Sequence, residues 1–352
     1  MTSPEDIRLF RWIRENAGKA GHNLSMSGFP EPVLRDMGIN TSFEAMKRDA
    51  PDPESYFLDR LCSLYGYDRS SVMTTIGGSE AIFLLSLYAK FNEAEVFTGL
   101  PEYEPIFTVP RNLGVRTHTA PFAEVEEQFR DHNSTKAFFF SNPNNPLGKL
   151  HSSNYLNSVH DHLKQDDFMY ADEAFLEFTF REKPESFFRD SQRIIVNGSL
   201  TKFYGFSGLR VGWIAASHEV IGKLKTIRNS TGIINPEYPL WIAGQSLDNR
   251  SLFMERGRRI LGKNLPALKK FVESNDRLSW EAPESASYAF IHYDFNIGSE
   301  DFCRQAMQNS GILLGPGDYF GVPASFRLCF TQEPEAFANG LEALGGFLAG
   351  LH

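Results

Sequence analysis

The sequence predicts an α/β protein: a large domain with a mostly parallel sheet between helices, followed by a smaller α+β domain. From about residue 70 to residue 245, short apolar runs alternate with segments of helical periodicity, which is the order of a parallel α/β sheet. Beyond residue 250, a long helical pattern is followed by strands with alternating apolar residues. The length of 352 residues is sufficient for two domains.

Each predicted element rests on an apolar run or on helical spacing. The strands of the large domain are predicted at Glu95–Thr98, Ala137–Phe140, Phe168–Ala171, Ile194–Val196 and Val211–Ala215. Its helices are predicted at Glu80–Phe91, Ser153–Lys164 and Glu219–Arg228. The small domain is predicted to contain the helix Phe253–Val272 and the strands Leu278–Ala282, Tyr288–Tyr293 and Ser325–Phe330. We expect the ranges 1–45 for an N-terminal segment that packs on the small domain, 46–248 for the large domain and 249–352 for the small domain.

Composition and charge exclude several classes of function. Hydrophobic residues make up 41% and charged residues 22% of the chain, the balance of an ordinary globular protein. The net charge of −9 argues against a nucleic-acid surface. Cys62, Cys303 and Cys329 have no short spacing, so we expect a reducing compartment, no disulfide framework and no metal site. No apolar run approaches the roughly 20 residues of a membrane span, and no signal-peptide core is present. We therefore expect a cytoplasmic protein that binds neither membranes nor nucleic acid.

Polar residues follow three of the predicted strands directly. Asn145 lies in SNPNNPLG after the second strand, Asp172 follows the third, and Lys202 follows the fourth in SLTKFYGFSGLR. Each has an ordinary structural explanation on its own, as a turn residue, a helix N-cap or a surface lysine. Ligands bind beyond the carboxyl ends of parallel strands, so the three together favour a functional site at that edge.

Seven motifs carry a resemblance to a known family. In chain order they are GGSEA, PEYEPIF, NPNNPLG, YADEAF, SLTKFYGFSGLRVG, GPGDYFG and FRLCF. Over residues 77–330 the chain resembles the class I/II aminotransferases, pyridoxal-phosphate enzymes of fold type I with an aspartate-aminotransferase-like fold. The resemblance implies pyridoxal 5'-phosphate as cofactor, and an amino acid and a 2-oxo acid as small-molecule substrates. It also implies a homodimer with active sites at the interface, where the N-terminal segment packs on the partner subunit.

The resemblance implies a role for each residue that would contact the cofactor ring. Lys202 matches the lysine that binds the cofactor covalently and later moves the substrate α-proton, which requires that its pKa fall below the ordinary value near ~10.4. Asp172 matches the carboxylate that pairs with the pyridine nitrogen. Asn145 matches the donor to the phenolic oxygen, and Tyr103 matches the aromatic residue that stacks on the ring.

The phosphate and the substrate are implied to bind at the two ends of the cofactor. Gly78 and Ser79 open an apolar helix, whose N-terminus supplies free amides and a positive dipole end. Ser199 would add a hydroxyl and Arg210 a charge-assisted contact.

Arg327 lies mid-strand between apolar neighbours, where a charge needs a partner. The resemblance implies the substrate carboxylate, and the alternative is a structural ion pair within the small domain. Gly28 and Asn145 are also assigned to the substrate by the resemblance.

Two positions depart from the family pattern. Phe175 stands where many members have a tyrosine that donates to the cofactor's phenolic oxygen. Ala50 stands where the family often has a tyrosine that reaches the neighbouring subunit's phosphate, and Tyr56 is a candidate replacement.

Three functions remain open at this point. DEAFLEF and SLTKFYGFSGLRVGW resemble the histidinol-phosphate aminotransferase branch and, more closely, threonine-phosphate decarboxylase. The first choice is an aminotransferase acting on an L-amino acid and a 2-oxo acid. A decarboxylase of a phosphorylated amino acid would need a second basic pocket, for which Arg8, Arg11 and Arg14 recur along one N-terminal helix. The joint presence of Lys202, Asp172, Asn145 and Arg210 argues against a non-catalytic binding protein.

Overall fold

A computed structural model describes residues 3–189 and 193–351. The α-helices of this part of the chain are α1 (Arg8–Asn16), α2 (Phe43–Asp49), α3 (Pro53–Tyr65), α4 (Gly77–Phe91), α5 (Pro105–Asn112), α6 (Phe122–Asp131), α7 (Ser153–His160), α8 (His218–Arg228), α9 (Glu237–Asp248), α10 (Arg250–Glu273), α11 (Ser299–Ser310) and α12 (Pro334–Ala349). Its strands are β1 (His22–Asn23), β2 (Val72–Thr75), β3 (Glu95–Leu100), β4 (Thr117–Pro121), β5 (Lys136–Ser141), β6 (Phe168–Asp172), β7 (Ile194–Ser199), β8 (Gly212–Ala215), β9 (Leu278–Trp280), β10 (Tyr288–Tyr293), β11 (Ile312–Leu313), β12 (Gly315–Pro316) and β13 (Ser325–Cys329).

The central sheet has the strand order β2-β8-β7-β6-β5-β3-β4. Its neighbours pair in parallel from β7 to β4, whereas β8 runs antiparallel to both β2 and β7. Successive side chains of a strand point to opposite faces of the sheet, and each face packs in a separate core. Both faces of the sheet are therefore covered. In β5, Phe138 and Phe140 belong to one buried cluster, and Ala137 and Phe139 belong to the other.

The small sheet has the order β12-β13-β10-β9, with every pair antiparallel. The N-terminal segment joins this part of the chain, since β1 pairs in parallel with β11 through His22 opposite Ile312. A mostly parallel central sheet flanked by helices, together with a smaller sheet, confirms the predicted fold class. The ranges 1–45, 46–248 and 249–352 stay predictions, and the first and last of them reach residues 1 and 352, outside the described residues.

The structure also corrects several predicted boundaries. Strands β2 and β4 were not predicted, because β2 is short and β4, with the sequence THTAP, is mostly part-exposed and polar. Helix α4 begins at Gly77 instead of Glu80. None of the helices in residues 3–189 and 193–351 is long and apolar enough to cross a membrane.

Candidate active site

The carboxyl ends of β5, β6 and β7 bring the predicted polar residues to one edge of the central sheet. Ser141 and Asp172, the last residues of β5 and β6, are paired, and Asp172 pairs with Asn197, two residues before the end of β7. A cavity of about 160 Å³ opens at this edge. Seven residues predicted to bind the cofactor line it: Gly78, Ser79, Tyr103, Asp172, Ser199, Lys202 and Arg210. Its other lining residues are Phe10, Ile82, Ala174, Phe175 and Thr201.

A cation and a helix N-terminus meet at one end of this cavity. Gly77, the first residue of α4, has φ +72°, and a Cβ there would lie 2.7 Å from an Arg210 guanidinium nitrogen. Arg210 donates to the carbonyl oxygens of Ser207 and Ile76, each at 3.4 Å. Within the described residues it has no carboxylate partner. The helix dipole and this guanidinium together suit a phosphate group.

Lys202 lies in the wall of the same cavity and contacts the N-terminal segment. Its Nζ donates to Ser27 Oγ at 3.0 Å and lies 5.4 Å from the centre of the Phe175 ring. Burial, with the charges of Arg327 and Arg210 adding, lowers the pKa of Lys202 to about 8. The side chain therefore has the raised fraction of neutral amine that a nucleophile or general base needs.

Gly28 allows the N-terminal segment to approach the backbone of Lys202. A Cβ at Gly28 would lie 2.8 Å from the Thr201 carbonyl oxygen and 3.2 Å from Lys202 Cα. The next residue, Phe29, donates its amide to the Lys202 carbonyl at 2.9 Å. Gly28 does not line the 160 Å³ cavity, but it lines an adjoining cavity of about 370 Å³ that shares Thr201, Lys202 and Arg210 with it.

Asp172 ends β6 inside the cavity and is buried. Its Oδ1 accepts the Ala174 amide at 3.0 Å. Burial raises the pKa of Asp172, while the Ala174 amide, the Asn197 side chain and the charge of Lys202 oppose that rise. A buried carboxylate beside these donors is suited to hold a proton on a ring nitrogen.

Arg327 and Asn145 form a second, connected pair. Both side chains are buried, and Arg327 donates to Asn145 Oδ1 at 3.0 Å and to the Ser25 carbonyl at 3.1 Å. Its Nε is buried without a hydrogen bond, and among the described residues no carboxylate forms an ion pair with it. The predicted alternative, an ion pair within the small domain, is therefore wrong for this part of the chain. Asn145 itself does not line the 160 Å³ cavity.

Sequence reasoning missed two polar residues that position this site. Ser27, which contacts Lys202, lies 175 positions away in sequence and belongs to none of the motifs. Glu102 is fully buried and accepts the amides of Tyr103 at 2.7 Å and Ser141 at 2.9 Å. The Ser141 hydroxyl in turn accepts the Asn145 amide at 2.8 Å. Burial raises the pKa of Glu102 to about 8. An acidic residue before Tyr103 in PEYEPIF was the available signal.

The two departures from the family pattern also have defined surroundings. Phe175 is buried and packs edge-on against Tyr288, with ring centres 4.7 Å apart. The Tyr288 hydroxyl donates to the Asn144 carbonyl at 3.2 Å, so it does not replace the tyrosine hydroxyl that is missing at position 175. Tyr56 donates to Asp248 at 2.9 Å and does not line the cavity of this chain, and its role toward a partner subunit stays a prediction.

Comparisons with known proteins identify the family and the fold of this chain. The family model described as aminotransferase class I and II matches residues 51–344. Histidinol-phosphate aminotransferase 2 of Carboxydothermus hydrogenoformans is 24% identical over 313 residues, 83% of each chain. The solved structure of a PLP-dependent aminotransferase from Streptococcus suis has a TM-score of 0.84 at 23% identity, covering 100% of this chain and 99% of that one. The PLP-dependent cyclase OrfR has a TM-score of 0.84 at 24% identity, covering 99% and 98%.

The residues of the cavity fit the cofactor that this family uses. An arginine that forms no ion pair with any described carboxylate faces a helix N-terminus, a buried carboxylate ends a strand of the sheet, and a lysine with a lowered pKa completes the wall. They supply a cation for the phosphate, a carboxylate that accepts from the protonated pyridine nitrogen and an amine that reacts with the carbonyl carbon of pyridoxal phosphate. The family model covers well over half of the chain. The chain belongs to the aminotransferase class I and II family and is a pyridoxal-phosphate-dependent aminotransferase of fold type I.

Proposed function

We propose that the enzyme exchanges an amino group between an L-amino acid and a 2-oxo acid. The observation that supports this most is the state of Arg327. Its guanidinium is buried and lacks a carboxylate partner among the described residues. It donates to Asn145, which lies in the loop after β5. A buried cation needs an anion, and a planar guanidinium suits a carboxylate. Both an amino acid and a 2-oxo acid carry that carboxylate.

We assign the proton transfers to Lys202 and Asp172. When bound, pyridoxal phosphate supplies a carbonyl carbon for the substrate amine and a ring that accepts electrons from the substrate Cα. Asp172 holds the proton on the ring nitrogen. Lys202, whose pKa is about 8, takes the proton from the substrate Cα as a general base and returns it as a general acid. Arg327 orients the substrate so that this proton faces the lysine.

The remaining predicted residues are proposed to hold the cofactor in place. Gly78, Ser79, Ser199 and Arg210 would bind its phosphate, because they line one cavity beside the start of α4. Tyr103 would stack on the ring. Asn145 would donate through Nδ2 to the phenolic oxygen and contact the substrate. Gly28, which lies against the Lys202 backbone, would border the substrate.

Decarboxylation of a phosphorylated amino acid is the second candidate, and the N-terminal arginines do not favour it. Arg8 donates to Glu104 at 3.1 Å and to the Asp318 carbonyl at 2.9 Å, while Arg11 pairs with Asp6 at 3.0 Å. Neither Arg8 nor Arg11 lines the 160 Å³ cavity or the adjoining 370 Å³ cavity. The likeness to a cyclase shows that one fold accommodates more than one reaction, so the assignment rests on the site.

A substrate panel separates these reactions. The cofactor-loaded protein is incubated with single amino acids, including phosphorylated ones, together with a 2-oxo acid acceptor. We expect a new 2-oxo acid from the donor in equal amount to the new amino acid, without carbon dioxide. The Lys202→Ala variant is the control for reaction of free cofactor. Carbon dioxide released in place of a 2-oxo acid would reject transamination in favour of the decarboxylase.

We also propose that the enzyme is a homodimer in the reducing cytosol, with its interface beside the active site. Ile233 and Ile234 are each 65% exposed, and Ile233 has a positive φ of 53°, which is unusual for a β-branched residue. Gly232, next to them, lies close to Glu80 and Ile76 at the start of α4. Exposed apolar residues held in a strained loop indicate a surface that another chain covers.

Light scattering tests the dimer with a matched pair of variants. Ile234→Glu is expected to yield monomers with reduced activity, whereas the wild-type dimer should lose activity only on dilution to concentrations at which it dissociates. Phe91→Glu is the control, because Phe91 is 70% exposed but ends α4, roughly 21 Å from the end of that helix at the cavity. A fully active wild-type monomer would contradict the proposal.

A further inference from the structure

Two histidines and a glutamate meet at the edge of the central sheet that lies away from the cavity. Glu95 begins β3, His118 lies in β4, and His132 directly follows α6. Glu95 Oε2 is 2.6 Å from His118 Nε2 and 3.2 Å from His132 Nε2. One atom from each side chain lies within 4.8 Å of the other two. The side chains are 16%, 25% and 24% exposed, in that order, so solvent reaches the cluster.

The elements that carry these residues are fixed against one another. β3 and β4 pair in parallel, with Phe97 opposite His118. The buried Phe97 ring stacks on His118 with centres 4.4 Å apart and meets His132 at 5.0 Å. The Glu95 amide donates to the Thr135 carbonyl at 2.9 Å, which ties the turn after α6 to β3. The two imidazoles are therefore held against one aromatic wall before any ligand binds.

Among the described residues, one ring nitrogen of the cluster has no hydrogen bond, and the second carboxylate oxygen of Glu95 faces an arginine. Arg116 lies 3.5 Å from the other carboxylate oxygen, Oε1, and its side chain is 72% exposed. His132 Nε2 is buried and forms no hydrogen bond with the described residues. A buried ring nitrogen without a hydrogen bond is available as a ligand.

We propose that Glu95, His118 and His132 bind a divalent transition-metal ion such as zinc, at a site separate from the catalytic one. Two imidazoles and one carboxylate are a common zinc ligand set, and the solvent side leaves a fourth position for water. Around a tetrahedral zinc, ligand atoms with bonds of about 2.0–2.1 Å lie roughly 3.3 Å apart. The His132–Glu95 distance of 3.2 Å already matches this spacing. The His118–Glu95 contact must widen, which rotation of the carboxylate permits.

A metal ion at this site would stabilise the edge of the central sheet and would take no part in the catalytic reaction. Glu95 lies at the opposite end of β3 from Leu100, a separation of roughly 16 Å for six extended residues. Tyr103, which lines the cavity, follows beyond Leu100. A bound ion would connect β3, the edge strand β4 and the turn after α6. No metal-binding pattern marks these ligands in the sequence, because successive ligands are 23 and 14 positions apart, without a recognised spacing.

Zinc titration of the cofactor-loaded, untagged protein tests this site. Calorimetry is expected to show one zinc ion per chain, and zinc is expected to raise the melting temperature by a few degrees because only the folded state holds the ligands together. Magnesium, which prefers oxygen ligands, is expected to do neither. The visible spectrum of the cofactor should stay unchanged, since the two sites are distinct.

Ligand variants decide the outcome. His118→Ala and His132→Ala are each expected to weaken zinc binding at least about tenfold and to abolish the zinc-dependent rise in melting temperature. His160→Ala is the matched control, because His160 ends α7 outside this cluster. If an alanine variant does not fold, His132→Gln takes its place. The proposal is overturned if zinc does not bind stoichiometrically, or if it binds both ligand variants as tightly as it binds wild type.

Discussion

Arg327 Nη1 donates to Asn145 Oδ1 at 3.0 Å, which joins β13 of the small sheet to the loop after β5 of the central sheet. An amide oxygen that accepts from a guanidinium fixes the orientation of the whole amide group. The Nδ2 donor of Asn145 is thereby directed away from Arg327. This hydrogen bond links a residue proposed to bind the substrate with one proposed to bind the cofactor.

Replacing Asn145 with aspartate tests this orientation. Asn145→Asp keeps the partner of Arg327 but removes the Nδ2 donor. A donor to the cofactor's phenolic oxygen lowers the pKa of Lys202 Nζ, the nitrogen through which the lysine is bound to the cofactor. Loss of one charge-assisted hydrogen bond, about 1.5–3 kcal/mol, should therefore raise the midpoint of the visible-absorbance titration by roughly one to two pH units. Asn157→Asp, on the exposed side of α7, adds the same charge elsewhere and should leave the midpoint in place.

The reverse change is expected at Phe175. Its ring lines the cavity beside Lys202, and a hydroxyl there would restore the donor that many family members have. Phe175→Tyr should therefore move the same absorbance titration downward by roughly one to two pH units. A midpoint that stays unchanged, or rises, would show that Phe175 does not occupy the donor position.

Arg327→Gln should weaken substrate binding and spare cofactor binding. Loss of a charged hydrogen bond of about 1.5–3 kcal/mol corresponds to a roughly 10- to 150-fold increase in the substrate Kd or KM. Preference for an amino acid over the amine that lacks its carboxyl group should fall by a similar factor. Arg259→Gln is the control, because Arg259 lies on α10 and forms an exposed ion pair with Glu333. Equal losses for the amino acid and the amine would point to a purely structural role.

Gly77→Ala should destabilise the protein and weaken phosphate binding. The left-handed backbone costs an alanine roughly 1–2 kcal/mol, and the new Cβ would lie 2.7 Å from the Arg210 guanidinium. Urea unfolding and a cofactor Kd measure the two effects. Gly222→Ala lies on the exposed side of α8, where the new Cβ would meet no described atom within 4 Å outside its chain neighbours and its own helix backbone, so we expect a stability gain of up to about 1 kcal/mol. Equal effects of both substitutions would exclude the backbone and steric explanation.

Without cofactor, Lys202 should titrate near pH 8. Competitive labelling with an amine reagent, read by mass spectrometry, should rise through pH 8, with the exposed Lys263 as internal reference. The pKa is lower in the folded than in the unfolded chain, where it is about 10.4. The unfolded state therefore binds more protons between these values, and the Lys202 contribution to stability rises with pH in that window. Lys202→Met should remove this rise, and a labelling midpoint near 10 would contradict the prediction.

Prediction from the sequence succeeded where local pattern and long-range structure agree. β5 and β6 begin or end within one residue of their predicted limits, because both faces are buried and their sequences are continuously apolar. β4 failed because its sequence is polar and mostly part-exposed, so no periodic signal marks it. The start of α4 was placed three residues late, since GGS carries no apolar spacing.

The site divides in the same way. Asp172 and Lys202 follow buried strands, so the sheet topology alone brings them together. Ser27 and Phe10 reach the site from the N-terminal segment through packing that no local pattern encodes. Asn145 and Arg327 were both predicted, but their hydrogen bond depends on how the small sheet docks against the loop after β5.

Helix α1 is fastened on two sides, and this has a mechanical consequence. On one side, the Leu9 amide and the Arg8 side chain bind Glu104 just before α5. On the other, Arg8 also binds the Asp318 carbonyl, and the Trp12 indole donates to Leu314 O at 2.8 Å. Helix α1 therefore connects the two sheets through hydrogen bonds to the loops beside each. A hinge rotation that separates the sheets must break the hydrogen bonds on one side of the helix. Phe10 belongs to α1 and lines the cavity, so a hinge rotation that displaces α1 removes part of the cavity wall.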